Sequence, residues 1–236
     1  MDELITKHSA IMDKAEAEWR AAPRRGPGGD KKVGLVVDEW GTWYDVEKGT
    51  EPGFLYQQNT LRDAVVAAIN FHIFHKHAAR VTMTNIAQTV NVLQAMILTS
   101  KEKMLRTPTY WVYEMFKVHQ GGTSLPIDLT APDYVFGQKK IPMVGASATR
   151  AADKSAVYVS LVNTSPSQAV TVSAKLTGVS PKAVTGRILT AAAIDAHNTF
   201  DAPETVKPVA FSGASLEGGT LTVALPAKAV VVLTLK

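Results

Sequence analysis

The sequence predicts an α/β unit with a parallel sheet, followed by an antiparallel β-sandwich. Two observations carry that prediction. Helical and strand patterns alternate as α, β, α, β, α from the N-terminus to Ile97, which calls for parallel strands with helices outside them. After Gly121 the pattern changes to short β-rich runs separated by turn-formers, the spacing of a sandwich.

The first helix places Ile11, Met12, Ala15 and Trp19 on one face and ends before Pro23. A loop from Ala21 to Asp30 follows. Val33 to Val37 is apolar at every position after Gly34, as expected of a central strand covered on both faces. Thr60-Leu61-Arg62-Asp63 starts the next helix, because the hydroxyl can cap it and the acid three residues on sits in its positive first turn. That helix runs to about His75. Val81 to Asn85 is a second strand. Ile86, Val90, Leu93 and Ile97 then fall at helical spacing and predict a third helix. A further helix spans Pro108 to Val118, with proline in its first turn.

Beyond it, strands are expected at Val157–Val162, Ala169–Ala174, Val184–Leu189, Leu221–Leu225 and Val230–Leu235. Asn163-Thr164-Ser165-Pro166 and Gly218-Gly219 punctuate them. With Gly121-Gly122 as linker, the expected domains are residues 1–120 and 121–236.

Composition narrows the function. The 236 residues are 46% hydrophobic and 19% charged with net charge +4, and no apolar run approaches the roughly 20 residues that span a bilayer. No membrane partner is expected. Met1-Asp2-Glu3-Leu4 lacks a basic and apolar leader, so a cytoplasmic location is the default expectation. With no cysteine there is no thiolate chemistry and no disulfide. Arg24-Arg25, Lys31-Lys32 and Lys139-Lys140 are isolated loop charges, a poor match to a nucleic-acid footprint. His72 and His75 could share a helix face, yet no third ligand sits at convincing spacing, so surface or partly packed histidines are expected and no metal. The glycines form no phosphate-cradling pattern after a strand, and no cofactor is expected.

The chemistry concentrates in Val33-Gly34-Leu35-Val36-Val37-Asp38-Glu39-Trp40-Gly41-Thr42-Trp43-Tyr44-Asp45. Asp38 and Glu39 emerge at the strand's C-terminal end and, by alternation, point in opposite directions, so one of them at most faces a given pocket. Trp40, Trp43 and Tyr44 follow, offering apolar platforms and donors suited to a sugar ring. From spacing alone, solvated acids at an ordinary strand end are an equally good reading.

This run resembles the nucleophile segment of the family 51 glycoside hydrolases, the α-L-arabinofuranosidases. So do Asn85-Ile86-Ala87-Gln88-Thr89-Val90-Asn91-Val92-Leu93, Thr107-Pro108-Thr109-Tyr110, Lys117-Val118-His119-Gln120 and His197-Asn198-Thr199-Phe200-Asp201, in the family's order. The resemblance implies a retaining hydrolase of terminal arabinofuranosyl groups on hemicellulose side chains. Glu39 would be the nucleophile, Trp43 a wall of the sugar pocket and Gln88 a partner for sugar hydroxyls at the start of the third predicted helix. The HNTFD segment would be a structural loop.

The resemblance also implies a (β/α)₈ TIM barrel, which typically takes about 250 residues. Only two strand-helix units precede the β-rich part here, so the expected fold is an incomplete barrel remnant followed by a jelly-roll-like sandwich. The family's general acid/base lies in an Asn-Glu motif on an earlier strand, and this sequence contains no Asn-Glu dipeptide. The expected partners are an arabinofuranosyl-containing oligosaccharide and either a complementing N-terminal barrel chain or further copies in a homo-oligomer. The alternative is a non-catalytic carbohydrate-binding or β-sandwich interaction module.

Overall fold

The structure, a computed structural model, describes residues 1–22 and 32–236. Of the loop expected from Ala21 to Asp30, Ala21 ends the first helix and the rest from residue 23, with Arg24-Arg25, lies outside the described residues, as does Lys31. Helix α1 (Asp2–Ala21) leads to strand β1 (Leu35–Trp40), helix α2 (Leu61–Lys76) and strand β2 (Val81–Ile86). A hairpin of β3 (Ile97–Ser100) and β4 (Lys103–Arg106) precedes helix α3 (Pro108–Phe116). The β-rich part then runs through β5 (Thr123–Leu125), β6 (Asp133–Phe136), β7 (Lys139–Pro142), β8 (Val144–Arg150), β9 (Val157–Asn163) and β10 (Val170–Lys175). It closes with β11 (Val184–Leu189), β12 (Val209–Phe211), β13 (Ala214–Glu217), β14 (Thr220–Leu225) and β15 (Val230–Leu235).

The fold is mixed α/β with antiparallel sheets, and the described residues form no closed barrel. Strands β1 and β2 pair in parallel, joined through α2, as a two-stranded sheet. Six antiparallel strands in the order β12-β11-β15-β9-β8-β5 form the main sheet, and β10-β14-β13 form a smaller one. One core lies between these two sheets, built on Leu161, Leu221, Val223, Leu225, Val231 and Leu233. A second lies on the other side of the main sheet, where α2 and α3 bring Leu61, Ala64, Ala68, Val112 and Phe116 against Val162, Leu189, Val230 and Val232. Alternation along β15 therefore feeds both cores, with Val230 and Val232 toward the helices and Val231 and Leu233 toward the small sheet.

Helix α2 begins where the sequence places it. The Thr60 N–H donates to the Asp63 carboxylate at 2.8 Å, the reciprocal half of a capping box. Its first free N–H groups are met from the sandwich, with Leu61 donating to the Ala196 carbonyl and Arg62 to that of Ile194. The neighbouring HNTFD segment is a structural loop. Buried Asn198 donates to the Arg106 and Val206 carbonyls and accepts from the Val206 N–H.

Four expectations need correction. The strand at the second segment starts at Leu35 and is covered on one face only, since Val36 is 44% and its neighbour Met83 53% exposed. The described residues supply no layer for that side. The third helix of the unit is absent: residues 87–96 run irregularly into the β3–β4 hairpin, with Asn91 and Leu93 at positive φ. Asn91 explains part of this, because its side chain accepts from the Thr99 N–H and donates to the Thr99 hydroxyl, folding the segment back on itself. The apolar face expected of α1 points outward, with Ile11 and Trp19 exposed and only Ile5 buried. Ion pairs seat that helix instead, Arg80 with Asp13 and Glu16 and Lys76 with Asp2, and His77 adds a hydrogen bond to Asp2. Finally, His72 is buried at the helix–sheet interface and is no surface residue.

The sandwich holds all five strands expected from sequence plus several others. Strand β8 escaped because Gly145-Ala146-Ser147-Ala148 has little β propensity. Small residues are needed there: a Cβ on Gly145 would stand 3.1 Å from the His72 ring and 2.9 Å from Val162.

Candidate active site

Strands β1 and β2 end side by side, and an open hollow of about 620 Å³ lies beyond their C-terminal ends. Asp38 and Glu39 from β1 line it, with Ile86, Ala87, Gln88, Thr89 and Val90 from the end of β2 and the segment after it. Both acids therefore share one hollow, contrary to simple alternation. The cause is local: the β1–β2 register shifts between Val37 and Trp40, so strict two-residue alternation fails across this pair. Trp40 turns inward, buried and packed edge-on against Phe71 and Phe74 of α2.

Of the residues singled out from sequence, Glu39 and Gln88 come together here, both exposed at the mouth. Gln88 lies on an irregular segment and opens no helix, because the helix expected there does not form. Trp43 sits on the loop after β1 and is 70% exposed, outside the lining of the hollow.

The two loops that frame the hollow rest on a layer of buried polar groups that the sequence reading missed. Gln94, fully buried, accepts from the Thr42 N–H at 2.9 Å and donates to the Asp63 carbonyl at 3.0 Å. The Thr42 hydroxyl donates to the Asp63 carboxylate at 2.9 Å. Gln57 accepts from the Tyr44 N–H and donates to the Thr42 carbonyl. Asn59 and Thr109 complete the layer, joined by a 2.7 Å hydrogen bond. Because a buried amide without partners costs free energy, amides so fully engaged fix one backbone path for each loop. The signal was present in Gln57-Gln58-Asn59 just ahead of the α2 cap, a polar cluster bordering an apolar helix.

A second polar cluster lies away from the hollow, between α2 and the main sheet. The Nδ1 atoms of His72 and His75 both lie 2.9 Å from the Ser147 hydroxyl. His119 bridges Thr149 and Ser160 at 2.8 and 2.5 Å. Burial holds His75 down at about 4 and His119 at about 3, with the nearby His75 adding to the latter shift. Burial, then the neighbouring His75 and His119, push His72 well below its ordinary value. These are neutral rings bridging a helix to a sheet. Among the described residues no group of three or more His, Cys, Asp or Glu is placed to hold a metal ion. No described helix is long and apolar enough to cross a membrane.

A parallel βαβ unit that gathers a carboxylate and an amide at adjoining strand ends, braced by an antiparallel sandwich, defines the structural class. Comparison with known proteins gives it a family. Residues 38–229 match the family model described as the α-L-arabinofuranosidase C-terminal domain. An intracellular exo-α-L-arabinofuranosidase of Bacteroides ovatus is 44% identical over 237 residues, which cover 100% of this chain and 44% of the relative. An intracellular exo-α-(1→5)-L-arabinofuranosidase of Streptomyces lividans is 30% identical, covering 83% of this chain and 31% of the relative. The crystal structure of the family 51 arabinofuranosidase from Xanthomonas axonopodis pv. citri superposes with a TM-score of 0.92 at 52% identity, covering 100% of this chain and 45% of that one. The Bifidobacterium longum family 51 enzyme shares the fold at a TM-score of 0.81 and 24% identity, covering 99% of this chain and 47% of that one. This chain belongs to the family 51 α-L-arabinofuranosidases, in the part that forms their C-terminal domain. It spans less than half the length of these relatives.

Proposed function

We propose that this chain carries the nucleophile side of a retaining α-L-arabinofuranosidase site, with Glu39 as nucleophile and Gln88 and Trp43 as sugar contacts. The observation that carries the reading is the hollow at the C-terminal ends of β1 and β2, where Glu39 and Gln88 face the same space. Strand C-terminal ends are where barrel enzymes keep their reacting groups, which fits residues 1–120 as the end of a (β/α)₈ barrel and residues 121–236 as its jelly-roll-like companion.

In a retaining mechanism Glu39 attacks the anomeric carbon as the glycosidic bond breaks, forming a glycosyl-enzyme ester that water then hydrolyses. A second carboxyl, about 5 to 5.5 Å from the first, must protonate the leaving oxygen and later activate the water. No Asn-Glu motif supplies it in this sequence. Activity therefore calls for further barrel strands, beyond these 236 residues, that provide that acid and the rest of the pocket; a complementing N-terminal barrel segment could do so, whereas further copies of the same sequence could not. The substrate class is terminal arabinofuranosyl groups of hemicellulose side chains, and a cytoplasmic site of action accords with the names of the two intracellular relatives.

A chimera tests this directly. The part of the Bacteroides ovatus relative that precedes the matched region, fused ahead of this chain, is expected to hydrolyse an aryl α-L-arabinofuranoside. Glu39→Gln in that chimera should lower turnover by about 10³-fold or more, the scale of losing a nucleophile. A folded chimera whose turnover survives Glu39→Gln would refute the assignment. The second reading, a carbohydrate-binding module without turnover, draws on the exposed Trp43. It predicts arabino-oligosaccharide binding by the chain that Trp43→Ala weakens while the chimera stays inactive.

A further inference from the structure

Trp43 has an unusual setting. Its indole is exposed, yet the backbone on both sides of it is held from beneath by two buried glutamines. Before it, the Thr42 N–H donates to Gln94 Oε1 at 2.9 Å and the Thr42 carbonyl accepts from Gln57 Nε2 at 3.0 Å. After it, the Tyr44 N–H donates to Gln57 Oε1 at 2.9 Å. Gln57 Nε2 also lies 3.4 Å from the Thr42 hydroxyl, and Gln94 Nε2 donates to the Asp63 carbonyl at 3.0 Å and toward the Thr109 hydroxyl at 3.3 Å.

Each amide thus uses its oxygen and its N–H groups on partners, the full inventory that a buried glutamine needs. Apolar residues of the same volume would fill this space but would leave the Thr42 and Tyr44 N–H groups and the Thr42 carbonyl without these partners, so the two amides answer to the backbone of this loop and not to packing alone. What amides add is direction. They select one path for Thr42-Trp43-Tyr44, while the Arg62 guanidinium stacked 3.8 Å over the Tyr44 ring holds the next side chain down. Trp43 is left with a fixed backbone and a free ring.

We propose that Gln57 and Gln94 are positioning residues that preset the loop from which the Trp43 indole is presented as a platform for a sugar ring. A platform ordered in advance spares the ligand the entropy of ordering a loop, which otherwise subtracts from affinity. The sugar-facing half of this inference rests on the reading of Trp43 given above; the positioning half rests on the hydrogen bonds alone.

The test uses the full chain labelled with 5-fluorotryptophan. Its four tryptophans, Trp19, Trp40, Trp43 and Trp111, give separate ¹⁹F signals, and Trp43→Phe assigns the relevant one. In Gln57→Met the Trp43 signal is expected to shift and broaden while the other three hold their positions. An unchanged Trp43 signal, or all four moving together, would overturn positioning in favour of general loosening. If Gln57→Met does not fold, Gln57→Glu keeps the acceptor for Tyr44 and loses the donor to Thr42, and the same selective change is expected.

Titration of the chimera described above, carrying Glu39→Gln to stop turnover, with an arabino-oligosaccharide then links geometry to binding. Gln57→Met should weaken binding about fivefold, through lost preorganisation, and should have no further effect once Trp43→Ala is present. Losses that simply multiply in the double variant would contradict action through Trp43. If the chimera carrying Glu39→Gln binds no sugar, or binds it equally well with Trp43→Ala, the sugar reading of Trp43 fails, and the ¹⁹F result still decides whether the glutamines position it.

Discussion

Strands β1 and β15 are both apolar runs, and they end up in opposite circumstances. Val230 to Leu233 is buried at every residue, because helices cover one face of β15 and the small sheet covers the other. In β1 the face carrying Val37 packs toward α2, while Val36 and the adjacent Met83 of β2 stand open. A continuous apolar run reports how many faces a strand is built to have covered. It does not say what supplies the cover. The open face of β1 lies beside the hollow that holds Glu39, so the uncovered surface and the proposed site fall in the same place.

The largest expected contrast comes from truncation on the two strands. Leu233→Ala should cost about 2–5 kcal/mol in urea denaturation, because it leaves a cavity between two layers. Val36→Ala should stay within about 0.5 kcal/mol, as at other exposed sites. Equal losses at the two positions would mean that β1 is covered in solution. A smaller loss, about 1–3 kcal/mol, is expected for Asp63→Ala, which leaves the Thr60 N–H and the Thr42 hydroxyl without their acceptor. Thermal unfolding checks it, and a second expected sign is a changed environment for Trp43.

The covered side also has a pH signature. His72, His75 and His119 are held neutral by burial and ionise near 6.5 once unfolded. Below that value the unfolded chain binds protons that the folded one refuses, so their stabilisation is complete above about pH 6.5 and declines as pH falls. Each contributes a slope of about 1.4 kcal/mol per pH unit, and the contribution of His75 levels off near 4. The thermal midpoint should therefore fall between pH 6.5 and 4, with a shallower fall in His119→Asn. A slope that His119→Asn leaves unchanged would remove this histidine from the account. The smallest effect on stability is expected for Met83→Ser, which should nevertheless reduce self-association in sedimentation, since it makes the open face less apolar.

Legibility from sequence followed the same division. The start of α2, the helix at Pro108 and all five expected sandwich strands were readable, because caps, proline and alternating β-branched runs act locally. The segment from Ala87 to Met96 was misread since its apolar spacing mimics a helix, while Asn91 commits its side chain to Thr99 of the following hairpin and Gln94 commits its own to Thr42 and Asp63, distant along the chain. Strand β8 was hidden because its small residues answer to His72 across the interface. At the site, Glu39 and Gln88 could be singled out from motif order. That Asp38 shares their hollow depends on a register shift no spacing rule contains.

The central proposal is that Glu39 is a nucleophile whose partner acid lies outside these 236 residues. Turnover of an aryl α-L-arabinofuranoside by the purified, folded chain tests it most directly. The account predicts hydrolysis at background, unchanged by Glu39→Gln; measurable turnover that Glu39→Gln abolishes would contradict it.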